Sequence, residues 1–149
     1  MKILIVEDDY LQADWLKETL GDYFPGSTVQ QISTESEFRS QIEHLRKSPP
    51  DLVLLDVMLR WADPSPKTAV PTEDAKNGFF RAGLRCEGLL RQFKETRRTP
   101  VILYTVLQGS DLGEELHKFS PAVPTYYVGK ASDSSQLIET ITRLARHFS

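Results

Sequence analysis

Four aliphatic residues in a row, Leu52-Val53-Leu54-Leu55, run straight into a carboxylate, Asp56. A strand with one wet face would alternate apolar and polar side chains. An unbroken apolar run suits a strand covered on both faces, as in a parallel sheet flanked by helices. In that architecture ligands sit at the carboxyl ends of the strands, so Asp56 would stand at the rim of a site. A lone strand-end Asp is more often simply solvated, and what raises its interest is that other apolar runs also end on polar groups. Lys2 to Val6 stops on Glu7, Asp8 and Asp9; Val101 to Thr105 ends on a hydroxyl; Val123 to Val128 is followed by Gly129 and Lys130.

Helical patterns lie between these runs. Asp9 is placed to cap a first helix in which Leu11, Trp15, Leu16 and Leu20 recur before the Phe24-Pro25-Gly26 break. Thr28 to Ile32 is a weaker strand, and Ser33 or Thr34 opens a second helix carrying Phe38, Ile42 and Leu45. A long helix is expected from Asn77-Gly78 to about Arg97, with Leu84, Leu89, Leu90 and Phe93 as its apolar side; Gly83 and Gly88 weaken that expectation. Ser110 to Phe119 reads as a short helix, and Ser132 to Phe148 as the cleanest one, with Leu137, Ile141, Leu144, Ala145 and Phe148 on one face. Strand and helix alternate five times. Right-handed crossovers then give an α/β fold, a doubly wound five-stranded parallel sheet with helices on both faces.

Composition bounds the function. The 149 residues suit a single domain, residues 1–149, with a real core and no room for an output domain. Eighteen basic against 21 acidic residues, net charge -3, give no support to direct nucleic-acid or membrane binding. The single cysteine, Cys86, reads as a small buried hydrophobe, and His44, His117 and His147 lack ligand spacing for zinc. The apolar run Ile3 to Val6 is too brief for a signal peptide or a membrane span, so a cytoplasmic location is expected.

The strand-ending residues would converge on one edge of the sheet. Capping accounts for one of the acids Glu7, Asp8 and Asp9, not for all three, and Asp56 joins them at this edge. Crowded carboxylates repel one another, and the remedies are a raised pKa or a bound hard cation. Magnesium suits such a cluster because it accepts a few carboxylates and keeps several waters. Asp56 would act as a nucleophile forming an aspartyl phosphate, Lys130 would supply a point charge, and Thr105 a hydroxyl donor to the phosphoryl oxygens.

On these residues the chain resembles the receiver domain of two-component response regulators. The segments carrying the resemblance are Lys2 to Asp9, Asp51 to Leu59, Val101 to Thr105 and Tyr127 to Lys130, in that order and framing nearly the whole chain. The resemblance implies a flavodoxin-like sheet of order 2-1-3-4-5. It also implies phosphoryl transfer to Asp56 from a histidine kinase or histidine phosphotransferase. By the same resemblance Glu7 and Asp8 join Asp56 in holding Mg2+, with the backbone carbonyl of Met58 as a further ligand. Thr105 and Tyr127 match the family's switch pair, and Lys130 the lysine that pairs with the acceptor and then with the phosphoryl group.

The departures are equally specific. Arg60 stands where the family usually has proline, and a segment of about residues 60–77, rich in Pro, Ser and Thr, intervenes before Gly78. This enlarged loop is either a tolerated insertion or a docking element carrying Trp61. Val106 replaces a small residue after the switch hydroxyl, and Ala131 replaces a proline, so a cis peptide is not expected there.

The resulting expectation is a stand-alone receiver rather than an enzyme, whose chemistry is limited to its own phosphorylation and dephosphorylation. Phosphorylation of Asp56 would switch a partner-binding face formed by the last two helices and last strand, with dimerisation as another output. A phosphorylation-independent interaction module is the alternative. A magnesium-dependent phosphohydrolase ranks last, because haloacid-dehalogenase-like enzymes carry a second Asp where Met58 stands.

Overall fold

The computed structural model describes residues 1–60, 82–107, 125–130 and 134–146. The expected loop at about 60–77 therefore lies, apart from Arg60, outside the described residues. So do Gly78, the short helix expected over 110–119, Ala131, His117 and His147.

Five strands are present, β1 (Lys2–Val6), β2 (Thr28–Ile32), β3 (Leu52–Leu55), β4 (Val101–Thr105) and β5 (Thr125–Gly129). They form one parallel sheet in the order β2-β1-β3-β4-β5, which is the expected topology. The register aligns Val6 with Leu55, and Leu55 with Leu103, so β1 and β3 end level while β4 runs two residues further, to Thr105. Order reverses between β1 and β3, and the residues after those two strands flank the crevice that this reversal opens.

The apolar runs serve two cores. Leu4, Val6, Val53, Leu55, Val101 and Leu103 belong to one buried cluster, and Ile3, Ile5, Leu52, Leu54, Ile102 and Tyr104 to the other. Successive strand residues point to opposite faces, so burying both faces demands apolar residues at every position. Helix α1 (Tyr10–Tyr23) contributes Leu16 and Leu20 to the second cluster, together with Leu137, Ile141 and Leu144 of α5 (Ser134–Ala145). The first cluster is covered by α2 (Glu35–Ser40), α3 (Ile42–Lys47) and α4 (Ala82–Arg91), through Phe38, Leu45, Cys86 and Leu90.

Three helix expectations need correction. The buried face of α1 is Ala13, Leu16 and Leu20, whereas Leu11 is 82% exposed and Trp15 is partly exposed. The second helix is broken at Gln41, whose backbone leaves helical geometry with ψ near 2°. Helix α4 stops at Arg91 rather than near Arg97, and the reason is local. The buried Thr96 hydroxyl donates to the Leu90 carbonyl at 2.7 Å, and the Arg91 guanidinium donates to the carbonyls of Arg97 and Thr99, which holds the chain in turns. Side-chain bonds of this kind compete with the helical ladder.

Candidate functional site

Asp56 follows the last residue of β3, and its backbone N–H donates to the Val6 carbonyl at 3.0 Å, continuing the sheet by one step. That bond brings the acid to the level of Glu7, whose own N–H donates to the Ile32 carbonyl. Asp9 is absorbed by capping: its Oδ1 accepts from the amides of Leu11 and Gln12 at the start of α1. Glu7, Asp8 and Asp56 remain, each offering an oxygen within 4.8 Å of the others.

Glu7 and Asp56 are both buried, and the Lys130 ammonium bridges them, 2.6 Å from Glu7 Oε2 and 2.9 Å from Asp56 Oδ2. Lys130 is held in turn by its backbone N–H, which donates to the Thr105 carbonyl at the end of β4. Its ammonium lies 5.7 Å from the Tyr104 ring centroid. The second oxygen of Asp56 accepts the Met58 N–H at 3.0 Å.

The electrostatics follow from burial. Desolvation and then the neighbouring Asp56 carboxylate push Glu7 up from 4.5 to about 7, although Lys130 pulls the other way. Burial opposes the charge on Lys130, but Asp56 and Glu7 together outweigh it and raise its pKa, so the ammonium stays protonated.

Glu7, Asp8, Asp56, Met58, Arg60 and Lys130 all line one open cleft of about 740 Å³. Val106, 63% exposed, lies on its wall. The donor set fits a hard divalent ion. Three carboxylate oxygens lie close together beside an open cleft, which leaves room for the waters magnesium retains.

The two expected switch residues are not among those lining this cleft, and both engage Leu107. Thr105 is fully buried, and its hydroxyl oxygen accepts the Leu107 N–H at 3.3 Å. The Tyr127 hydroxyl donates to the Leu107 carbonyl at 2.6 Å. Met58 lines the cleft, and the bond it makes to Asp56 is through its amide.

Three features were not anticipated. Arg60 turns back onto Asp8, with its backbone N–H 3.1 Å and its Nε 3.3 Å from Asp8 Oδ2. Gly83 packs directly on the Asp56–Val57 backbone: its N–H donates to the Val57 carbonyl at 2.8 Å, and a Cβ there would lie 2.0 Å from the Asp56 carbonyl oxygen. Glu35, completely buried, receives Arg85 at 2.6 and 2.8 Å and Arg39 at 3.2 Å, joining α2 to α4. The sequence signals were present as a basic residue in place of proline, a glycine inside a helix and an acid at a helix start. None of them names its partner.

No family model and no curated protein matches the chain. Among solved structures it is similar to the signal receiver domain of a DNA-binding response regulator from Colwellia psychrerythraea, with a TM-score of 0.68 at 20% identity over 98% of both chains. It is also similar to the N-terminal domain of a response regulator/sensory box/GGDEF protein from Carboxydothermus hydrogenoformans, with a TM-score of 0.67 at 24% identity over 99% of this chain and 96% of that one. A third is the receiver domain of a sensor histidine kinase from Pseudomonas aeruginosa, which holds magnesium in its active-site cleft; the TM-score is 0.63 at 18% identity, over 96% and 95% of the two chains. The chain has the flavodoxin-like fold of receiver domains.

Proposed function

We propose that a chain with the receiver fold and this acidic cleft is a phosphoacceptor signalling domain, residues 1–149 acting as one receiver. The observation that carries the reading is the buried Asp56–Lys130–Glu7 bridge at the carboxyl edge of the sheet, with Asp8 alongside. A strand-end acid with only a structural role has no need of a lysine and two further carboxylates around it.

In this reading a carboxylate oxygen of Asp56 attacks the phosphorus of a phosphohistidine on a histidine kinase or histidine phosphotransferase. The P–O bond forms, the P–N bond breaks, and the imidazole keeps the electron pair and takes up a proton. Glu7, Asp8 and Asp56, with the Met58 carbonyl, would hold Mg2+, which supplies charge neutralisation for the phosphoryl oxygens. Lys130 then exchanges its Asp56 contact for a phosphoryl oxygen. Thr105 gives up its acceptor role toward Leu107 and turns its hydroxyl to the phosphoryl group as a donor. That frees the Leu107 amide, disturbs the carbonyl on which Tyr127 rests, and carries the change to β5 and α5. The modified face would bind a downstream protein or a second copy of the chain. The described residues contain no helix long and apolar enough to cross a membrane, and the reading takes the site of action as the cytoplasm.

Intact-protein mass spectrometry after incubation with acetyl phosphate and magnesium tests this. The expected result is one added phosphoryl group, absent without magnesium and absent in Asp56→Asn. If neither acetyl phosphate nor a beryllofluoride titration changes the protein, the switch is refuted in favour of a phosphorylation-independent binding module. Multiple-turnover hydrolysis of a small phosphoester would instead favour a phosphohydrolase.

A further inference from the structure

Arg60 lies just beyond β3 in the same cleft as the three carboxylates, and all of its described polar side-chain contacts are to Asp8. Its backbone N–H and Nε both donate to Asp8 Oδ2, at 3.1 and 3.3 Å, and Nη2 lies 3.5 Å from the Asp8 carbonyl oxygen. The other two carboxylates, Glu7 and Asp56, share Lys130. The chain's own side chains thus already supply a cation to each member of the cluster.

We propose that Arg60 is a built-in competitor for the divalent cation at Asp8, a guanidinium that must leave this carboxylate before the cation takes it as a ligand. This rests on the cation-binding reading given above. Two contrasts support it. The Arg60 side chain is 49% exposed, whereas that of Lys130 is 9% exposed. A half-exposed guanidinium is rehydrated at little cost when it lets go, so Arg60 is a releasable partner and Lys130 a fixed one. In addition, Oδ2 of Asp8 carries two N–H donors on one oxygen, and a bound cation would lie beside a like charge if Arg60 stayed. The backbone N–H contact survives release, so Arg60 sets the affinity of the site without being needed to build it.

Titration calorimetry of Mg2+ into the full chain, purified in chelator, tests the competition for wild type, Arg60→Gln and Arg60→Lys, each with and without Asp8→Asn. Thermal melts in chelator establish that each variant is folded. Removing the charge should tighten magnesium binding by about three- to ten-fold, as expected for loss of an exposed ion pair and its repulsion toward the cation. Arg60→Lys should fall between the two, and Asp8→Asn should abolish the gain. Equal or weaker affinity in Arg60→Gln, or a gain that survives Asp8→Asn, overturns the competition while leaving the cation site standing. Absence of magnesium binding in every variant removes the site itself and the inference with it.

Discussion

Gly83→Ala is the substitution whose consequence the geometry defines best. A methyl group at this position meets backbone, not a side chain that can swing aside: 2.0 Å to the Asp56 carbonyl oxygen, 2.6 Å to Val57 Cα and 2.7 Å to the Asp56 carbonyl carbon. Ordinary contact begins at 3.4 Å, so α4 and the loop after Asp56 must separate by about 1.4 Å. That separation stretches the 2.8 Å bond from the Gly83 N–H to the Val57 carbonyl. Overpacking of this kind costs about 1–3 kcal/mol and a lost buried hydrogen bond about 1–2 kcal/mol, offset by about 1 kcal/mol of helix propensity gained from alanine. The net loss is about 1–4 kcal/mol, or roughly 2–16 °C in Tm for a domain of this size. Gly88 supplies the control within the same helix. A Cβ there meets nothing within 4 Å, so Gly88→Ala should be neutral or stabilise by up to about 1 kcal/mol. Urea denaturation of both variants reads the difference, and acetyl phosphate uptake reads any displacement of Asp56. A Gly83→Ala protein as stable as Gly88→Ala would refute the close approach.

The remaining predictions test the charge pairs and the enlarged segment. Glu7 has a folded pKa of about 7 against 4.5, so it favours the folded state fully below about pH 4.5 and loses that contribution as pH rises through 7. In chelator, the stability of wild type relative to Glu7→Gln should therefore fall across that window, by no more than about 3 kcal/mol; a flat difference would contradict the burial of this acid. Glu35→Gln should cost about 2–4 kcal/mol in denaturation experiments, because it removes the buried negative partner of Arg85, whereas Arg39→Ala, on the exposed side of the same cluster, should cost less than about 1 kcal/mol. Deleting residues 64–76 should leave stability within about 1 kcal/mol by loop-closure entropy, while phosphate lifetime or kinase choice changes. Unfolding on deletion would refute the first part, and unchanged kinetics and partner choice the second.

The sheet was legible because burial on both faces forces unbroken apolar runs, and each of Leu52 to Leu55 serves one of the two cores. The acids were legible for a related reason: a strand that stops on a carboxylate in a parallel sheet has only the crevice edge to stop at. Asp9 was separable from Glu7 and Asp8 because capping has a recognisable position. What the sequence hid were relations between distant residues. Arg60 and Asp8 are 52 positions apart, and Arg85 and Glu35 are 50 apart, so no local pattern couples them. Gly83 looked like a flaw in a helix because helical periodicity says nothing about what backbone lies opposite. Helix α4 ended early for the same class of reason, since the hydroxyl that takes the Leu90 carbonyl comes from Thr96, beyond the helix itself.

These hidden contacts share one consequence for the segment between Arg60 and Ala82. At its start, Arg60 is fixed on both sides: its N–H reaches Asp8, and its carbonyl accepts the Glu35 N–H at 3.0 Å. At its end, Gly83 is fixed to the Val57 carbonyl, and Arg85 to the Glu35 carboxylate. Both anchors therefore meet the start of α2, and the second also meets Val57, in the short stretch after Asp56 that carries Arg60. Val57 and Arg60 are three residues apart, so they are separated by no more than about 11 Å of chain. The two ends of the segment must then lie close together, within reach of far fewer residues than the chain provides. Length added between fixed, adjacent points is not transmitted to Asp56, Glu7 or Lys130, which is the physical reason the acidic cleft can keep its geometry while the segment beside it grows. Any influence of that segment on the acidic cleft then passes through direct contact over the cleft, through Arg60, which touches Asp8, or through Gly83, which packs on the Asp56 backbone.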